Sequence, residues 1–228
     1  MLVQLLTHTP EPEQVVAAAA RLCYSASSVA DLMEKSRHDR DDLLRKILSL
    51  GHFSVLEHVS FTFGVEGISR ACSHQLVRHR LASYSQQSQR YVSHEKRFAA
   101  VTPDTIAAQP ELHQRYDALL EETHRVYCEL LAAGIPAEDA RFVLPNAAET
   151  KIVLTMNARE LLHFFELRCC RRAQWEIRLM AIDMLRLARQ AAPLLFAKAG
   201  PGCLQGVCPE GSMTCGQITE VRREFEAL

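Results

Sequence analysis

The sequence predicts an α+β fold: a small antiparallel sheet surrounded by helices in a single domain. Three observations predict it. Few stretches alternate with the two-residue period of a strand, and those are short. The longer segments repeat their apolar residues at helical spacing. No internal repeat or linker divides the 228 residues, of which 48% are hydrophobic, enough to fill one large core. The boundary that composition suggests is a domain over 1–199 followed by a Gly/Cys-rich tail over 200–228.

Residues 2–7 read as a strand, and the Ala-rich stretch 12–23 as a helix behind Pro10 and Pro12. The charged segment 30–50 carries Asp31, Glu34, Lys35, Arg37, Asp39, Arg40, Asp41 and Asp42 ahead of Leu43, Leu44, Ile47, Leu48 and Leu50. This predicts an amphipathic helix closed by Gly51. Val59, Phe61, Phe63 and Val65 then alternate with polar or small residues, the pattern of a strand with one buried face. Ile68, Ala71, Cys72 and Leu76 place a helix over 68–80. A longer helix over 110–133 has the stripe Leu112, Tyr116, Leu119, Leu120, Val126, Tyr127 and Leu130 and ends at Gly134. Pro136, at the first helical position, opens a short helix reaching Arg141 and Phe142. Residues 149–156 alternate as another strand. Asn157 and Glu160 then form a capping-box pattern that starts a helical region running to about 191, with a break near 168–172. Beyond Pro193 the chain reads as loop.

Lys+Arg number 26 and Asp+Glu 27, so the net charge of −1 supplies no field for a long polyanion. Basic patches must be local, which favours a small anionic ligand. No apolar run has the length of a membrane span, and the N-terminus lacks the basic start of a signal peptide. Eight scattered cysteines in a chain of this size read as reduced thiols in a cytoplasm.

The segment Arg78–Tyr91 carries the most chemistry. It packs three arginines, a histidine, three serines, three glutamines and two tyrosines into fourteen residues, with no lysine. Arginine forks suit phosphate bidentately, and serine, glutamine and backbone N–H groups complete an anion cradle. Ser88 as nucleophile would need a base such as His79 and an acid to orient it; lacking a recognisable acid, Ser88 reads as a phosphate ligand. Gln75 lies one turn earlier. Ser54 and Glu57, between His52 and His58, serve equally as a cap, a solvated turn or a ligand contact. Asn157, Arg159 and His163 belong to one helix, with Arg159 and His163 on one face. Arg168 stands about 140° round from His163, so it shares a pocket only through a kink or another wall. On sequence alone, His163 between Leu162 and Phe164 reads as a core histidine, and Trp175 as a packing residue. Cys203, Cys208 and Cys215 lack paired C-x2-C spacing, so no metal site is assigned.

These residues resemble the flavin-dependent thymidylate synthase family. RHRLASYSQQSQRY is similar to its R-H-R-x(7)-S signature, and GHFSVLEHVSFTF, SHQLVRHR, ARFVLPNAAET, LTMNARELLHFFELR and AQWEIR resemble its other blocks in order. The resemblance implies a homotetramer with active sites built across subunit interfaces. It implies FAD at Ser54, Arg78, His79, Arg80, Gln86, Asn157, Arg159 and His163. It implies dUMP at Gln75, Arg78, Gln86, Gln87, Ser88, Gln89, Arg90, Arg141 and Arg168, with Arg168 as the catalytic arginine beside the pyrimidine. The implied reaction methylates dUMP to dTMP with methylenetetrahydrofolate as carbon donor and NADPH as reductant of FAD. Ser85-Gln86 replaces an Asn-Glu pair common in the family, and His163 replaces an Asn. Two other readings stand beside this one: a single-stranded nucleic-acid-binding module stacking bases on Tyr84 and Tyr91, and a pyrimidine transferase using Cys169 or Cys170 as nucleophile.

Overall fold

A computed structural model describes residues 1–36, 40–93 and 98–228. In chain order the elements are β1 (Leu2–His8), α1 (Pro12–Leu22), α2 (Val29–Lys35), α3 (Arg40–Leu50), β2 (Ser60–Ser69), α4 (Arg70–Leu76) and β3 (Ala82–Gln86). There follow α5 (Asp104–Ala107), α6 (Pro110–Ala132), α7 (Ala137–Ala140), β4 (Glu149–Asn157), α8 (Ala158–Arg168), α9 (Trp175–Ala191) and α10 (Ile218–Glu226). The four strands form one antiparallel sheet in the order β1-β2-β4-β3, and the fold is α+β. Among the described residues no helix is long and apolar enough to cross a membrane.

The chain gathers into two compact units. The first comprises 1–2, 65–78 and 84–153; the second comprises 3–64, 79–83 and 154–228. In the second, the buried faces of β2 and β4 contribute Phe61, Phe63, Leu154 and Met156. Phe61 meets Phe196 edge-on at 5.3 Å between centroids, and Phe165 meets the same ring at 5.9 Å. Each of these fully buried rings contributes about 1.5–3 kcal/mol by transfer from water. Thr62 and Thr155 share a 2.9 Å hydroxyl hydrogen bond on the other face of the same strands. In the first unit, Phe98, Leu120 and Ala148 form a small core with Tyr116 and Leu144 packed on it.

Several elements differ from the sequence reading. The helix expected over 30–50 is two helices, α2 and α3. Arg37 and Asp39 lie outside the described residues, and Gly51 closes α3 at φ 72°. The helix expected over 68–80 begins at Arg70, because the Ser69 hydroxyl accepts the Cys72 N–H as its N-cap, and it ends before Arg78. Pro136 is the N-cap of α7 rather than its first residue, and a 3-10 turn continues over Arg141–Val143. The polar loop contains β3, whose half-buried Ala82, Tyr84 and Gln86 alternate with exposed Ser83 and Ser85. The tail carries α10, which buries Val221 and Phe225.

That tail is fastened within the second unit. Arg178 and Arg171 both bind Glu224, at 2.6 Å and 3.2 Å. Arg189 donates to the carbonyls of Phe196, Ala199 and Phe225, and Arg222 to those of Cys203 and Gly206. Gly202 packs so closely that an added Cβ would lie 2.9 Å from Pro209 and 3.1 Å from Glu166.

Candidate active site

In the second unit, the end of β4 delivers Asn157 to the start of α8. Its side-chain oxygen accepts the Glu160 N–H at 2.8 Å, so the capping pattern holds on that side. The Glu160 carboxylate turns instead to His79, Oε1 to Nδ1 at 3.3 Å. The other ring nitrogen, Nε2, accepts a hydrogen bond from Arg168 Nε at 3.0 Å. Phe164 meets the His79 ring edge-on at 4.9 Å, and His163 does so at 6.0 Å. His79 is 5% exposed and Glu160 6%.

Electrostatics fix the protonation of this chain of groups. Burial first, then the charge of Arg168 and then His163, lower the His79 pKa from 6.5 to about 4. The ring is therefore neutral near pH 7. Arg168 can only donate, so Nε2 must accept and the ring proton sits on Nδ1, facing Glu160. Burial raises the Glu160 carboxyl, and nearby His163 lowers it.

α8 runs without a break from Ala158 to Arg168. His163 and Arg168 are thus joined not by a kink but through His79, which comes from a different stretch of chain. His163 itself is exposed, correcting its reading as a core histidine, and Trp175 is exposed at the start of α9 rather than packed. Arg159 is exposed and pairs with Glu57 at 2.5 Å, not with its helix neighbours. A pair this open adds little stability. Ser54 lies exposed on the 3-10 turn Phe53–His58, and Arg80 is exposed beyond His79.

The first unit holds the other set. Gln86 Nε2 donates to Ser73 at 3.0 Å and to Thr150 at 3.2 Å, so its amide nitrogen is committed to α4 and β4. Gln75 bonds the Ala71 carbonyl, and the Gln87 N–H extends the sheet to the Lys151 carbonyl. The Ser88 hydroxyl accepts the Arg90 N–H at 3.1 Å and shapes a tight turn that includes Gln89. Arg90 Nε pairs with the Glu138 carboxylate at 2.8 Å, while Arg141 Nε donates to the Glu138 carbonyl at 3.0 Å. Two expected residues thus meet at α7. Arg78 is exposed at the end of this unit's 65–78 segment.

Two residues were missed by the sequence reading. Glu160 read as a cap and as part of a charged helix face, and only its distant partner, His79, reveals another role. Arg70 has its pKa lowered by burial and then by the charge of Arg141, so another guanidinium stands near Arg141. Nothing in its sequence neighbourhood marked it. Among the described residues no group of three His, Cys, Asp or Glu side chains is placed to hold a metal ion.

The first unit thus carries Arg90 and Arg141 side by side at Glu138, and the second a buried, neutral histidine joining a carboxylate to a guanidinium, side chains of the kind enzymes use on small anionic substrates. Comparison with known proteins gives the family. The model of the thymidylate synthase complementing protein family matches residues 4–194. A flavin-dependent thymidylate synthase of Geobacter sulfurreducens is 59% identical over 230 aligned residues, covering 100% of this chain and 99% of that protein. Those of Nitratidesulfovibrio vulgaris (50%, 94% of each chain) and Pyrococcus furiosus (44%, 99% of this chain and 97% of that one) are also similar. The chain belongs to this family. The nucleic-acid-binding reading finds no support in these relatives; of its two tyrosines, Tyr84 is half-buried with its hydroxyl on the Leu76 carbonyl, while Tyr91 is exposed. Cys169 is fully buried, and burial pushes its thiol far up, which makes it a poor nucleophile.

Proposed function

We propose that this chain methylates dUMP reductively to dTMP, using methylenetetrahydrofolate as carbon donor and NADPH-reduced FAD, and releases tetrahydrofolate. The observation that carries the reading is the hydrogen bond between His79, the centre of the Arg78-His79-Arg80 signature, and Arg168. It ties the signature to the arginine that faces the pyrimidine in this reading.

The donor set fits a flavin dinucleotide. Arg80 and Arg159 are exposed guanidiniums of a kind suited to a diphosphate, exposed His163 lies one turn beyond Arg159 on α8, and half-buried Asn157 caps that helix. Ser54, Arg78, Arg80, Gln86, Asn157, Arg159 and His163 would hold the cofactor directly, and buried His79 would support them from behind. When bound, FAD supplies the redox chemistry and carries the one-carbon unit. The protein's own work is binding and electrostatics. The turn Ser88–Arg90, with Arg141 and Arg70, receives the nucleotide phosphate, and Gln75 and Gln87 flank it. With its nitrogen committed, Gln86 presents its carbonyl oxygen, an acceptor for a ring N–H. Arg168, held at Nε, places fixed positive charge where negative charge develops on the uracil ring. Ser88 acts as phosphate ligand: both nitrogens of His79 are engaged, so the ring has no lone pair for activating a serine. The resemblance further supports a homotetramer with interface active sites, and composition supports a cytoplasmic location and an enzyme carried by 1–199 with 200–228 as its tail.

The test is direct. Purified protein should be yellow and form dTMP from dUMP, methylenetetrahydrofolate and NADPH. Arg168→Ala should keep its flavin while dTMP formation falls about 100-fold or more. Colourless protein that takes up no FAD would overturn the reading, and equal loss of flavin and turnover in the variant would remove the role given to Arg168.

A further inference from the structure

Glu160 has no duty that local structure explains. The N-cap of α8 is completed by Asn157 and the backbone of Glu160, without its carboxylate. Its neighbour Arg159 pairs elsewhere, with Glu57. A carboxylate 6% exposed is costly to bury unless a specific interaction uses it. Among the described residues, the hydrogen bond this carboxylate makes is to His79.

Eight residues separate Glu160 from Arg168, about 12 Å along an α-helix and about 80° around it. The carboxylate cannot reach the guanidinium itself. His79 spans the interval, with Phe164 edge-on against the ring to hold its plane. Each link has only one workable direction. Arg168 Nε–H donates to Nε2, which requires the proton on Nδ1; Nδ1–H donates, which requires an acceptor at Glu160. Were the proton on Nε2 instead, it would oppose the Arg168 N–H and this hydrogen bond to the guanidinium would be lost.

We propose that Glu160 is a positioning residue for the reaction: by holding His79 in the Nδ1–H tautomer, it fixes the direction in which Arg168 presents its guanidinium. This rests on the reading of Arg168 given above. Glu160 acts through orientation and touches neither substrate nor cofactor.

The experiment combines three variants with two readouts. Nitrogen-15 NMR of histidine-labelled protein reports the His79 tautomer without depending on turnover, and steady-state kinetics report kcat and KM for dUMP. Wild type should show the Nδ1–H form. Glu160→Gln, which keeps an acceptor oxygen at the same reach, should keep both the tautomer and most of kcat. Glu160→Ala should lose the single tautomer and lower kcat by about 10- to 100-fold, the usual scale for removing the partner behind a functional histidine. It should do so with flavin content retained. Glu160→Asp, folded and charged but one methylene short, should behave like Glu160→Ala and serves if the alanine variant does not fold. An unchanged tautomer in the alanine or aspartate variant overturns the proposal. So does wild-type kcat in either variant, or a Glu160→Gln protein as impaired as Glu160→Ala. Wild-type protein that makes no dTMP while showing the Nδ1–H tautomer sinks the functional reading instead, so the two failures are distinguishable.

Discussion

His79 shows how one side chain's surroundings decide what it can do. An isolated imidazole would be half protonated at pH 6.5, but here burial and two neighbouring basic groups bring the pKa to about 4. Between those values the unfolded chain takes up a proton that the folded chain refuses. The contribution to stability is therefore complete above pH 6.5 and is lost as the pH falls toward 4. Thermal melts across that window should show a steeper fall in the midpoint for wild type than for His79→Gln, and equal slopes would contradict it. The sequence made the importance of His79 legible through its place in the signature, yet its partners were hidden. Glu160 and Arg168 lie 81 and 89 residues away in the chain, and no local period reports such contacts. Arg90 and Arg141 show the same limit: both were expected at dUMP, but their meeting at Glu138 is a product of the fold.

Elements were readable where one physical signal dominated. β2 follows Val59, Phe61, Phe63 and Val65 at every second position, β4 carries Ile152, Leu154 and Met156 so spaced, and α6 falls where helical spacing predicts, although of its stripe Leu120 and Tyr127 are buried while Leu112 and Leu119 are exposed. β3 was missed because its inward residues are Ala82, Tyr84 and Gln86, so the alternation is one of burial and not of hydropathy. The α4 boundary was misread because a cap is a single hydrogen bond, invisible to periodicity. Ser69→Ala should destabilise the protein by about 1 kcal/mol in a urea melt, the usual cost of losing an N-cap hydroxyl; no change would mean the Ser69–Cys72 bond is not holding the strand-to-helix junction. α10 is short and follows a Gly/Pro-rich stretch, which concealed the spacing of Val221 and Phe225.

At the scale of the whole molecule, the C-terminal segment bears on the end of α8. Burial alone would raise the Glu224 carboxyl, but Arg178 and then Arg171 outweigh it and hold it below its ordinary value. Its contribution is thus present above the ordinary carboxylate range and is lost as acid protonates it. Glu224→Ala leaves Arg171 and Arg178 without that carboxylate, three and ten residues past Arg168. It should cost about 1–2 kcal/mol of stability and speed proteolytic cleavage within 200–228; unchanged cleavage would show that the tail is held elsewhere. The near-balance of charge, 26 basic against 27 acidic residues, has a consequence of another kind. Beyond a Debye length of about 8 Å at physiological salt, an approaching nucleotide meets almost no net field. Encounter is then governed by diffusion and shape rather than by steering, and in the proposed reading it is the local charge of Arg70, Arg90 and Arg141 that governs how long the visitor stays.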